Sequence, residues 1–211
     1  MRKFISKLHY LTQDLDDRSH VKQAQLACEA GCKWLQYRCF TKNDEAMLEE
    51  LHQIASICDD WGATLIVTDH VHLLNQADIQ GVHIEDMEAD FSTIREQIGP
   101  DKTLGASAHT FEHIQRIVES GVVDYAGCGP FGFTDTKPND YNLLGFEGYQ
   151  AIIENMKRSG VEFPVLAVGG VTLEDIERLM LTGLYGIALS AAVNKSDNPA
   201  KAFKDIYNKV Y

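Results

Sequence analysis

Short apolar runs bounded by Gly, Asp or Pro recur along the chain: LHYLT, WLQYR, ATLIVTD, GVHI, TLGAS, VDYAGCG, FPVLAVGG and LYGIALS. Between them lie amphipathic stretches of helical length. The stretch from Asp44 to Asp60 is representative, with Leu48, Leu51, Ile54, Ala55 and Cys58 at helical spacing. Strand and helix therefore alternate. Eight such runs predict a closed (β/α)8 barrel or an open doubly wound sheet, and their regular spacing favours closure. Polar residues cluster just after the runs: Gln36 and Arg38, Asp69, Glu88, Ser107, Thr134 to Lys137, Gly169 and Gly170, and Ser190. In a barrel these positions share one rim, where barrel enzymes place their chemistry. The expectation is an α/β fold, a single TIM-barrel domain over residues 1–211.

Composition adds limits. A chain of 211 residues with 45% apolar and 24% charged positions suits one ordinary globular domain. A formal net charge of -12 without any Lys/Arg cluster argues against nucleic acid and anionic lipid as partners, but not against small anionic ligands. The start, MRKFISKLHYLTQD, shows neither an apolar core nor a cleavage site of a signal peptide, so a cytoplasmic address is expected. Cys28, Cys32, Cys39, Cys58 and Cys128 contain no C-x-x-C pair and read as reduced, packed thiols. Cys28 and Cys32 are expected on one helix, without the two further ligands a metal site needs.

Several constellations can carry chemistry. The long irregular connection from Gly127 to about Leu144 reads as a ligand loop, and its GCGPFGFTDTKPN segment offers Thr134, Thr136, Lys137 and glycine-freed N–H groups for a phosphate or diphosphate. Gly169-Gly170-Val171-Thr172 follows the seventh run, where barrels cradle phosphate. Asp69 and Glu88 follow the third and fourth runs and form an oxygen-only pair suited to Mg2+; the alternatives are a helix cap and plain surface charge. Gln36 and Arg38 share one face of their strand, with Tyr37 on the other. Arg38 suits a phosphate clamp or a buried ion pair with a strand carboxylate. His70, His72 and His83 suggest a competing hydrolase-type metal cluster. It is disfavoured, because a two-residue spacing at the start of a helix points His70 and His72 to different sides.

In order, Gln36-Tyr37-Arg38, Thr68-Asp69, Gly81-Val82-His83, Gly105-x-Ser107-x-His109, Gly129-Pro130 with Thr134-x-Thr136-Lys137, and Gly169-Gly170 resemble the motifs of the family of thiamine phosphate synthases and thiazole tautomerases. The T-x-T-K loop is the most specific of them. The resemblance spans nearly the whole chain. It implies a transferase that joins a hydroxymethylpyrimidine diphosphate to a thiazole phosphate through a dissociated pyrimidine carbocation. It further implies Mg2+ held by Asp69 and Glu88, and catalytic roles for Arg38, Ser107 and Lys137. By the same analogy Gln36, Arg38, Ser107 and Lys137 bind the pyrimidine diphosphate, while Thr134, Thr136, Gly170 and the loop at Ser190 receive the thiazole phosphate. Tyr37, Thr68, His83, Asp135, Gly169 and Leu189 complete the expected substrate contacts. Partners are then small phosphorylated molecules, with a homodimer left open.

The chain departs from the family pattern at four places. Phe40 stands where the family has lysine, with Lys42 two residues on; Thr68 replaces asparagine; Glu88 replaces aspartate; and Ala191 takes the place of a serine, with Ser190 one position early. Two other readings stay open, the second motivated by Phe40 and Thr68. One is a thiazole tautomerase using His83 or His109 as proton carrier, without Mg2+. The other is a non-catalytic binder of thiamine precursors.

Overall fold

The computed structural model describes residues 3–134 and 141–211. Eight strands occur among them: β1 (Leu8–Leu11), β2 (Trp34–Tyr37), β3 (Thr64–Thr68), β4 (Gly81–Ile84), β5 (Thr103–Ala108), β6 (Tyr125–Cys128), β7 (Val165–Val168) and β8 (Gly186–Leu189). Each is parallel to its sequence neighbours, and β8 returns to β1 with Leu8 opposite Ile187 and Tyr10 opposite Leu189. The sheet closes on itself as a barrel. The strands read as near-continuous apolar runs because helices cover one face and a filled interior covers the other.

The outer layer comprises α1 (His20–Glu29), α2 (Asp44–Trp61), α3 (Phe91–Ile98), α4 (Phe111–Ser120), α5 (Gly145–Arg158), α6 (Ile176–Leu181), α7 (Ala191–Asn194) and α8 (Pro199–Val210). After β3 stands only a single 3-10 turn, Val71–Leu73. Local chemistry sets where the helices begin. Ser19, Asn43, Asp90, Thr110 and Asn198 each accept a first-turn N–H with the side chain, satisfying donors the helix itself cannot. The helix expected from Asp44 to Asp60 is α2, which buries Met47, Leu51, Ile54, Ala55 and Cys58. Leu48 is only half-buried, at the edge of that stripe.

The barrel interior is filled, not hollow. Ile5, Trp34, Ile66, Tyr125 and Leu166 form its lower cluster. Tyr125 reaches across only because β5 presents a glycine: a Cβ on Gly105 would sit 2.2 Å from the tyrosine ring. Beneath this cluster, at the end opposite the rim, Asp124 gathers three donors on Oδ2: Lys3 Nζ at 3.0 Å, Arg95 Nη2 at 2.8 Å and Leu104 N–H at 2.8 Å.

All five cysteines are buried and unbridged. The expectation that Cys28 and Cys32 share a helix is corrected: α1 ends at Glu29, so Cys32 lies in the connection to β2, and the neighbour of Cys28 is Cys58 on α2. No helix among the described residues is long and apolar enough to cross a membrane.

Candidate active site

One cavity opens at the C-terminal ends of the strands, enclosing about 1130 Å3 with its open mouth included. Its position follows from the parallel closed sheet, which delivers every strand-to-helix loop to the same end. Gln36, Arg38, His83, Ser107, Thr134, Gly169, Gly170, Leu189 and Ser190 all line it. Residues spread over six strands and their loops thus converge, as the clustering of polar residues after the runs predicts.

At the floor, His9 stacks on Trp34 at 4.4 Å between ring centroids and meets Tyr125 edge-on at 4.9 Å. Burial, and then the nearby His83, hold the His9 imidazole well below its ordinary pKa. Burial likewise pushes the Tyr125 hydroxyl upward. Above them His83 bridges two strands, with Nδ1 3.2 Å from Tyr125 Oη and Nε2 3.2 Å from Ser107 Oγ. Gln36 Nε2 donates to Thr68 Oγ1 at 2.9 Å, which fixes the amide at the wall.

Arg38 combines both sequence readings. Its guanidinium lines the cavity, yet Nε donates to Glu85 Oε1 at 2.8 Å, and the group stacks 4.4 Å over Phe40. The aromatic ring standing in for the family's lysine supports the neighbouring arginine instead. Lys42 is engaged elsewhere, with Nζ 2.7 Å from Glu50 Oε1 on α2. After β8, Ser190 Oγ donates to Gln13 Oε1 at 2.9 Å and accepts from Asn194 Nδ2 at 3.2 Å. Gly170 has φ +71°, and a Cβ there would lie 2.5 Å from the Gly132 backbone carbon. The glycine pair thus serves close packing of the β7 loop on the β6 loop, with Gly132 N–H donating to Gly169 O at 3.0 Å.

Some expected residues fall elsewhere. Tyr37 is corrected as a side-chain contact: strand alternation turns it out of the barrel, where its hydroxyl donates to Glu50 Oε2 at 2.9 Å. Asp69 is exposed at the rim with φ +60°, and its Oδ1 accepts the Glu85 N–H at 2.7 Å, so it does not serve as a helix cap. Glu88 stands on the exposed turn before α3, its N–H donating to Asp86 Oδ1. His70 and His72 also need correcting. The turn there is 3-10 and not α-helical, so the rings approach to 5.8 Å and converge with Asp44, whose Oδ2 lies 2.7 Å from His72 Nε2. His83 stays apart in the barrel. Asp135, Thr136 and Lys137 lie outside the described residues.

Sequence reasoning missed Glu85, His9, Tyr125 and Tyr141, all of which line the cavity. Glu85 was legible as the first residue past GVHI. His9 and Tyr125 required a layer-by-layer reading of the barrel interior. Tyr141, whose ring packs 4.4 Å from His109, gave no signal.

A family described as "Thiamine monophosphate synthase" matches residues 8–193. A protein named thiamine-phosphate synthase from Phocaeicola vulgatus is 36% identical over 202 residues, covering 96% of this chain and 97% of its own. One of the same name from Flavobacterium johnsoniae is 34% identical, covering 98% and 97%. The solved structure of thiamine phosphate pyrophosphorylase from Pyrococcus furiosus superimposes with a TM-score of 0.83 at 26% identity, covering 97% of this chain and 95% of that one. With the fold, the cavity and these similarities in agreement, the chain belongs to the thiamine monophosphate synthase family.

Proposed function

We propose that this protein is a thiamine-phosphate synthase, a transferase that joins a hydroxymethylpyrimidine diphosphate to a thiazole phosphate and releases diphosphate. The observation that carries the reading is the convergence on one cavity of Gln36, Arg38, Ser107, Thr134 and Gly170, in family register, together with Ser190 one position from the family serine. The whole-length similarity to relatives bearing that name supports it. Phosphorylated precursors do not cross membranes unaided, which suits a cytoplasmic address.

The residues at the rim fit a magnesium ion. Asp69 projects an exposed carboxylate from a left-handed backbone that few residues adopt, and a carboxylate oxygen is the donor type that Mg2+ takes. Asp69 and, by family register, Glu88 would hold Mg2+, which when bound supplies charge neutralisation to the diphosphate oxygens. Arg38 and Lys137 add fixed cationic donors to the departing diphosphate. Arg38 is held in place for this by Glu85 and Phe40. Gln36 and Ser107 orient the pyrimidine end, each steadied by its own partner, Thr68 or His83. The carbon–oxygen bond to diphosphate breaks with its electron pair leaving on oxygen. The thiazole nitrogen then donates its pair to the carbocation, forming the new carbon–nitrogen bond. The apolar floor of His9, Tyr125 and Leu166 keeps water from intercepting the cation. Thr134, Thr136, Gly170 and Ser190 receive the thiazole phosphate.

Incubation with both phosphorylated precursors and Mg2+ is expected to yield thiamine phosphate and diphosphate. No product above a boiled control rejects the proposal.

A further inference from the structure

Beside the cavity, three residues of different chemistry come together where the loops after β1 and β2 meet the start of α1: Asp14, His20 and Cys39. A carboxylate oxygen, a ring nitrogen and the sulfur lie within 4.8 Å of one another. His20 Nε2 is 3.1 Å and Cys39 Sγ 3.3 Å from the same atom, Asp14 Oδ1. We propose that Asp14, His20 and Cys39 form a second metal site, selective for a zinc-class transition metal and separate from the magnesium position at Asp69.

The geometry matches the ion. Bonds of about 2.0–2.3 Å in a tetrahedron give ligand-to-ligand edges of roughly 3.3–3.8 Å, close to the two edges of 3.1 and 3.3 Å that meet at Asp14 Oδ1. Donor chemistry selects the metal, since a thiolate with an imidazole favours Zn2+ or Co2+ and disfavours Mg2+. The outer contacts also suit it. His20 Nδ1 is 2.7 Å from Thr12 Oγ1, which fixes the ring so that Nε2 faces inward, and Phe40 N–H donates to Asp14 Oδ2 at 2.9 Å. His20 and Cys39 are buried, so neither side chain loses much freedom on binding, whereas the Asp44–His70–His72 group is largely exposed. Asp14 borders a solvent cleft through which an ion and a fourth, water ligand can enter. The site ties the β1 loop to the β2 loop directly behind Arg38, whose own N–H donates to Thr12 Oγ1 at 3.1 Å. A bound ion braces the arginine from the rear.

The test uses the full chain, reduced and stripped of metal, titrated with Co2+ as the spectroscopic probe. Binding of a single equivalent with a sulfur-to-cobalt charge-transfer band, displaced by Zn2+ but not by excess Mg2+, is expected. Cys39→Ser, nearly isosteric and checked for folding by circular dichroism, is expected to lose the band, while Cys28→Ser and Cys58→Ser retain it. His20→Gln is expected to weaken Co2+ binding at least tenfold. Absence of the band in the native protein, or its persistence in Cys39→Ser, overturns the proposal. None of these readouts involves turnover, so they stand or fall independently of the synthase reading.

Discussion

His9 is a buried imidazole whose Nε2 finds no hydrogen-bond partner among the described residues, wedged between Trp34 and Tyr125. Burial holds its pKa well below 6.5 in the fold, while in the unfolded chain it titrates near 6.5. Below that pH the unfolded state binds the extra proton, so stability present at neutral pH is lost as pH falls. His20 has the opposite sign. Although burial lowers it, hydrogen bonds with Cys39 and Asp14 raise its pKa, and its contribution is lost as pH rises. Comparing native protein with His9→Leu isolates the first effect: between about pH 7 and about pH 5 the native melting temperature should fall more steeply than the variant's. Equal slopes would contradict the assignment. Arg38 supplies a second residue-scale prediction. Lysine keeps its charge but loses the Glu85 hydrogen bond and the stack on Phe40, so Arg38→Lys should lower kcat/KM for the pyrimidine diphosphate by roughly 10- to 100-fold in initial-rate assays.

Among the elements, the strands were the most legible, since burial on both faces leaves an apolar run that little else produces. Caps such as Asn43 and Thr110 were equally readable from residue type. The 3-10 turn was not. His70 and His72 follow an α-helical rule only if the segment is α-helical, and one turn after β3 is too short for periodicity to reveal its type. Tyr37 differs: strand alternation already set it on the face away from Gln36 and Arg38, and only its place in the family motif made it an expected contact, while its ring faces α2. The Asp14–His20–Cys39 group was hidden because its members come from two loops and the start of α1 and carry no spacing signature. The loop after β7 makes a prediction at this scale. Gly170→Ala brings both a left-handed backbone penalty and a contact 2.5 Å from Gly132, so the variant should lose about 1–3 kcal/mol in urea unfolding, with KM for the thiazole phosphate raised. Unchanged stability and KM would show that the two loops yield easily.

At the scale of the molecule, a closed barrel keeps its two ends apart: loops that meet ligands on one side, a packed interior between, and the Asp124 cluster on the other. Asp124→Asn removes the charge that Lys3 and Arg95 share. A lowered melting temperature with KM values for both substrates unchanged is therefore expected; a matching change in KM would show that the interior transmits the disturbance. The same separation bears on how such a protein can diverge. Drift at the rim, as at Phe40 in the loop after β2 and Thr68 at the end of β3, leaves the anchor around Asp124 intact, so new specificities can be sampled from a scaffold whose foundation is never renegotiated.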